Sequence, residues 1–208
     1  DMVTFGLKRI PTAAPLYIAR GVLYVQLGEY EKSDVDFLQA ERLDPQVGDA
    51  AAAMGMAALQ ENRLPEAETG IRERLKQHRN DPFLLYLLAE TLLRRGAAPG
   101  SSEFHEATNA ASRAVSIQPR FALARDVLGR LYLEEGKTSE AIEQSRLAVR
   151  HDPSDQTALY HLIVALRKDH RTTELPPLIK QLAALREEAR TKENNQRKYA
   201  LVEAANQR

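Results

Sequence analysis

The chain has no cysteine and no tryptophan. Without cysteine it offers no thiol nucleophile, no disulfide and no thiolate metal site. The same absence fits cytosol, periplasm or secretion equally. The chain also lacks an excess of either charge, with 29 Lys+Arg against 29 Asp+Glu in 208 residues. Nucleic-acid binders usually carry a basic surplus, so nucleic acid is not an expected partner. No apolar run approaches the roughly 18 residues that would span a bilayer, and no membrane span is expected. The opening residues DMVTFGLKRIP lack the basic start and long apolar core of a signal peptide. Aromatic residues make up only 6%, yet 43% of the chain is hydrophobic and 28% charged. That is enough apolar material for a sizeable buried surface, which argues against wholesale disorder.

What the chain does have is repetition. One block contains Tyr17, Gly21, Tyr24, Gly28, Tyr30, Phe37, Ala40 and Pro45, and a later one contains Leu128, Gly129, Tyr132, Gly136, Ala141, Ala148 and Pro153. Gly21 to Gly55, Gly55 to Ala89, Gly129 to Ile163, Pro11 to Pro45 and Pro119 to Pro153 are each 34 residues apart. Ala89 to Gly129 is 40, which places an insertion of about six residues at AAPGSSEF, a stretch with loop chemistry. Units are therefore expected at 14–47, 48–81, 82–121 (insertion at about 96–102), 122–155 and 156–189. A half-unit or capping helix at 1–13 precedes them, and a helical extension at 190–208 follows.

The spacing has a physical cause. A pair of short antiparallel helices cannot bury its apolar faces alone, and stacking neighbouring pairs closes the core. Gly21, Gly55, Ala89 and Gly129 fall mid-way along the first helix of each pair, where a larger side chain would overpack the contact at a cost of about 1–3 kcal/mol. Gly28, Gly96 and Gly136 fall where first helices should end. Pro45, Pro119 and Pro153 fall where second helices should end. In the last unit Ile163 stands at the small position and His170 at the terminal glycine position. Pro176 and Pro177 are expected in the first turn of its second helix, followed by a stripe of Leu178, Ile179, Leu182 and Leu185. At the other end, Val3 and Leu7 read as the core face of a second helix whose first helix is missing. That reading expects a piece of a longer array, with a native capping helix as the alternative.

No residues present a convincing catalytic set. There is no GxxxxGK[ST] and no GxGxxG. His105-Glu106 opens HEATN, which falls short of HExxH because Asn109 replaces the second histidine, so it reads as a loop-to-helix start. Ser101-Ser102 before Glu103 reads as a helix cap. His78, His151 and His170 lie near helix ends, where a histidine suits the helix dipole. No catalytic residue, metal site or cofactor is expected, and the chain is not expected to be an enzyme.

The two blocks, with their 34-residue period, resemble the tetratricopeptide repeat. The resemblance covers nearly the whole chain; it is specific in the first and fourth units and weak in the second and fifth. It implies an all-α, right-handed superhelical solenoid of antiparallel helix pairs, and protein–protein recognition in the concave groove lined by first helices. Carried over position by position, that groove comprises Ile18, Val22, Val25, Met56, Phe83, Tyr86, Glu90, Arg94, Asp126, Arg130, Tyr160, His161 and Arg167. Some members of the family hold a chaperone's C-terminal carboxylate with Lys, Asn and Arg. The matching places here are Ile18, Val22, Ala53, Phe83 and Leu87, so that clamp is missing. The implied partner is a protein or peptide. Two alternatives remain: an accessory or regulatory repeat domain of a larger enzyme, or a self-assembly module dimerising through the stack ends or last helix. The closing residues LYHLIVALRK and LREEAR resemble the last repeats of large bacterial members, which favours a bacterial periplasm or cytoplasm.

Overall fold

A computed structural model describes residues 2–44 and 63–206. The described residues form ten α-helices and no strand: α1 (Met2–Arg9), α2 (Ala14–Gln26), α3 (Tyr30–Leu43), α4 (Leu64–Gln77), α5 (Pro82–Arg94), α6 (Ser102–Ile117), α7 (Ala122–Glu134), α8 (Thr138–His151), α9 (Gln156–Lys168) and α10 (Leu175–Asn206), with a 3₁₀ turn at Thr172–Glu174 before the last. The chain divides into two units, Asp1–Pro119 and Arg120–Arg208.

Local chemistry sets the helix starts and stops. Asp81 caps α5 by accepting from the Phe83 and Leu84 amides, and Asp155 caps α9 in the same way. Ser101 accepts from the Phe104 amide at 3.1 Å and opens α6, the cap its sequence suggests. Pro15, Pro65 and Pro82 lie in first turns, where no amide is needed. At the stops, Gly136 turns left-handed with φ 84° after α7, and the Lys137 amide reaches back to the Tyr132 carbonyl at 2.8 Å.

In the first unit, α1 packs on α2, α2 on α3, α4 on α5, and α5 on α6. Gly21 of α2 faces the fully buried Phe37 ring of α3; a Cβ there would lie 2.8 Å from Cδ1 and 2.9 Å from Cζ. Tyr17, Ile18 and Leu43 pack around Ala14 and Ala40. Leu7 of α1 is buried, and Val3 is half-buried. The row from Leu84 to Leu93 in α5 is buried without interruption. Gly55, Pro45 and Met56 lie outside the described residues.

In the second unit, α7 packs on α8, α8 on α9, α9 on α10, and α7 also on α9. Gly129 repeats the device of Gly21, since a Cβ there would lie 2.8 Å from the Ser145 hydroxyl and 3.3 Å from the Ala141 carbonyl. Ile142, Leu159, Leu162, Ile163, Leu166, Leu175 and Leu182 form one buried cluster, with Leu178 and Leu185 packed against it. Ile179, expected in the same stripe, is instead 43% exposed. Pro176 and Pro177 fall in the first turn of α10.

Two histidines at helix ends depart from the simple dipole reading. Burial and the guanidiniums of Arg125, Arg120 and Arg150 hold the His151 pKa below the ordinary histidine value. His151 therefore adds less positive charge to the end of α8 than an ordinary histidine would. His170 follows α9 with φ 57°, the left-handed geometry that glycine adopts after α7. A side chain there is strained by about 1–2 kcal/mol. His170→Gly is expected to raise the melting temperature by a few degrees, because relief of that strain exceeds glycine's extra unfolded-state entropy of about 0.5–1 kcal/mol. A thermal melt followed by circular dichroism checks this; a lowered midpoint would mean the imidazole makes a contact worth more than the strain.

Candidate functional site

The first helices carry the expected groove positions on three faces. On α2, Val22 is exposed and Val25 half-buried. Ile18 packs into the Ala14–Ala40 cluster of its own helix pair, so part of that apolar stripe is internal packing.

On α5, Phe83, Tyr86, Glu90 and Arg94 recur at three- and four-residue steps and so share one side of the helix. The Phe83 and Tyr86 rings meet edge to face at 5.6 Å. Arg94 Nε donates to Glu90 Oε1 at 2.6 Å, which pairs a nearly buried carboxylate with a half-exposed guanidinium. Tyr86 is only 8% exposed. Truncating it would remove core packing as well as any partner contact, so it cannot report on binding alone.

The packing of α7 on α9 brings the remaining positions together. Asp126, on α7, is buried at 6% exposure, and both carboxylate oxygens lie 2.9 Å from Nδ1 of His161 on α9. An imidazole facing a carboxylate in this way carries its proton on Nδ1. Nε2 then remains as the ring atom able to meet a ligand. The rings of Tyr160 and His161 lie 5.8 Å apart. Tyr160 is 47% exposed, while Arg130, one turn along α7 from Asp126, is half-buried. Arg167 lies exposed in the last turn of α9, two turns from Tyr160. The next cation, Lys168, reaches the Leu133 carbonyl at the end of α7 at 2.8 Å. The cluster thus combines an exposed aromatic ring, a positioned imidazole and an arginine on adjacent helices, and tyrosine and arginine are favoured interface anchors.

Sequence position alone did not reveal the Asp126–His161 pair. Its signal is a separation of 35, one residue beyond the repeat period, which brings side chains on neighbouring first helices face to face. Among the described residues, no group of three His, Cys, Asp or Glu could hold a metal ion, and no helix is long and apolar enough to cross a membrane. His105 is exposed in the first turn of α6.

Residues 14–47 match the family described as Tetratricopeptide repeat. Solved structures extend the likeness along most of the chain. A thermophilic tetratricopeptide-repeat protein of Thermus thermophilus superposes with a TM-score of 0.69 at 19% identity, covering 90% of this chain and 97% of that one. PilF of Pseudomonas aeruginosa gives 0.68 at 21% identity, over 83% of this chain and 76% of that one. Residues 14–47 thus match one tetratricopeptide repeat, and the chain shares the fold of tetratricopeptide-repeat structures. Such repeats are protein-interaction modules, stacked so that successive units build an extended binding surface. Another tetratricopeptide structure, YrrB, described as having an unusual peptide-binding site, matches with a TM-score of 0.55 at 19% identity, over 89% of this chain and 92% of that one. Among curated proteins, Hsp70-Hsp90 organizing protein 1 of Glycine max is 25% identical over 134 residues, which is 64% of this chain and 22% of that protein. The chain thus spans about a fifth of that relative's length.

Proposed function

We propose that this tetratricopeptide chain is a non-catalytic recognition module that holds a peptide or partner protein against its first helices. The observation that carries the reading is the α7–α9 cluster, where exposed Tyr160 stands beside a His161 ring fixed by buried Asp126. A ring already held in place loses little freedom when a ligand arrives, which favours binding. The cluster offers tyrosine, imidazole and guanidinium groups, a set suited to a polar peptide of mixed charge.

We do not carry the Hsp70-Hsp90 organizing role in the Glycine max relative's name over to this chain. Ile18, Val22, Ala53, Phe83 and Leu87 stand at the clamp positions, and none of them can pair a terminal carboxylate. The second reading is an accessory or regulatory repeat domain of a larger enzyme.

The test pairs Tyr160→Ala with Arg130→Glu and uses the double mutant beside the unaltered chain as bait in the source organism's lysate. Partner capture is expected to fall at least about tenfold, with the helical circular-dichroism signal preserved, as for loss of two interface anchors. Equal capture of the same proteins by both baits would remove the first-helix faces of α7 and α9 from the reading.

A further inference from the structure

A second surface lies on the other side of the first unit. α4 and α6 each pack on α5, yet among the described residues no backbone contact joins α4 to α6. Between them runs a groove of about 630 Å³. Leu75 of α4 contributes a half-buried apolar wall, and Leu85 and Leu88 of α5, only 2% and 5% exposed, lie at its base.

Side chains close the groove at two places. Arg72 of α4 makes a two-pronged pair with Glu106 of α6 at 2.6 and 2.7 Å. Arg113 of α6 donates to the Arg79 carbonyl at 2.9 Å and to Asn80 Oδ1 at 3.0 Å.

The charge between these bridges is one-sided. Among the described residues of the lining Glu106 is the only carboxylate, and Arg72 already holds it. Arg72 also pairs with Glu68, and these hydrogen bonds, Glu106 first, raise its pKa despite partial burial. Lys76 pairs with Glu73, at an exposed site where such contacts contribute little. Arg79 and Arg113 line the groove without any ion pair among the described residues. In a chain of zero net charge, this groove therefore presents Lys76, Arg79 and Arg113 around a leucine floor. A bare anion would leave the floor unused, and a purely apolar ligand would leave the cations unmatched.

We infer that the α4–α6 groove docks an acidic amphipathic segment of a partner protein. A Leu or Phe side chain of the segment packs against Leu75 above Leu85 and Leu88, and flanking Asp or Glu carboxylates meet Lys76, Arg79 and Arg113. Charge complementarity sets the choice of partner and the rate of encounter, and burial of the apolar side chain sets the residence time.

Fluorescence anisotropy on the whole chain tests this, using a short labelled peptide with Leu and Phe set among Asp and Glu. Lys76→Glu with Arg79→Glu changes only exposed side chains and is expected to weaken binding at least about tenfold. Asn109→Asp, which adds one negative charge to the groove with almost no change in size, is expected to weaken it several-fold. Lys8→Glu, the same kind of charge change outside the groove, should leave binding unaltered, and circular dichroism should show all three variants folded. The inference is overturned if the peptide does not bind, or if it binds all variants alike. It is also overturned if a peptide with Ser replacing Leu and Phe binds as tightly, because the floor then plays no part. Equal retention of phosphatidylserine vesicles or inorganic polyphosphate would overturn it too, since the surface would then be a general anion patch.

Discussion

Gly21→Ala is expected to destabilise the protein by about 1–3 kcal/mol, although alanine is the better helix former. The added methyl would enter the Phe37 ring, which is fully buried and has nowhere to go. Phe37→Ala alone is expected to cost about 3–5 kcal/mol through lost burial and the cavity left behind. The informative experiment combines the two. With the ring gone, the added methyl has room, and the same glycine-to-alanine change should become stabilising by about 0.8–1 kcal/mol, the ordinary helix-propensity gain. Urea unfolding of the four proteins followed by circular dichroism gives the cycle. An identical Gly21→Ala cost in both backgrounds would show that something other than the ring excludes a side chain.

Asp36→Ala carries an effect of similar size by a different route. Asp36 is 2% exposed and accepts from Arg20 Nε at 2.7 Å and Nη2 at 2.6 Å. The hydrogen bond to Asp36, and then its negative charge, hold the Arg20 pKa above the ordinary value against the opposing pull of burial. The guanidinium also lies 5.6 Å from the Tyr17 ring and 5.8 Å from the Tyr24 ring. Removing the carboxylate leaves a partly buried cation with only those rings among the described residues. The expected loss is about 3 kcal/mol, the low end of the range for breaking a buried pair. Replacing both partners, Arg20→Met with Asp36→Leu, should lose far less, because no charge is then left unpaired. Unfolding midpoints decide between the two outcomes; an equal loss from the single and double changes would mean the ion pair itself, rather than the orphaned charge, carries the stability.

The sequence announced the helix pairs because the 34-residue period repeats the contacts that small residues permit. Gly21 and Gly129 both face a side chain or carbonyl within 3.3 Å of where a Cβ would stand. Glycines 28, 96 and 136 all turn left-handed, and His170 takes the same geometry without being glycine. Ile179 matched a helix stripe by spacing yet points away from the cluster that Leu182 joins.

Cross-helix chemistry was much harder to see in the sequence. The Arg20–Asp36, Arg72–Glu106 and Asp126–His161 pairs join residues 16 to 35 positions apart. The order of charged residues along the chain does not say which of many carboxylates each cation will meet. Nor did periodicity distinguish a buried groove position from an exposed one. Tyr86 and Tyr160 looked alike in the sequence, yet one is packed and the other open to solvent.

The open seam between α4 and α6 also bears on mechanics. Helices that interlock by close packing resist separation steeply, because every displaced atom pair loses contact at once. Ion-pair struts such as Arg72–Glu106 stretch more gently, since water can enter and screen the charges as they part. Under load, the first unit would act as a leaf spring that is stiff along α5 and compliant across the seam.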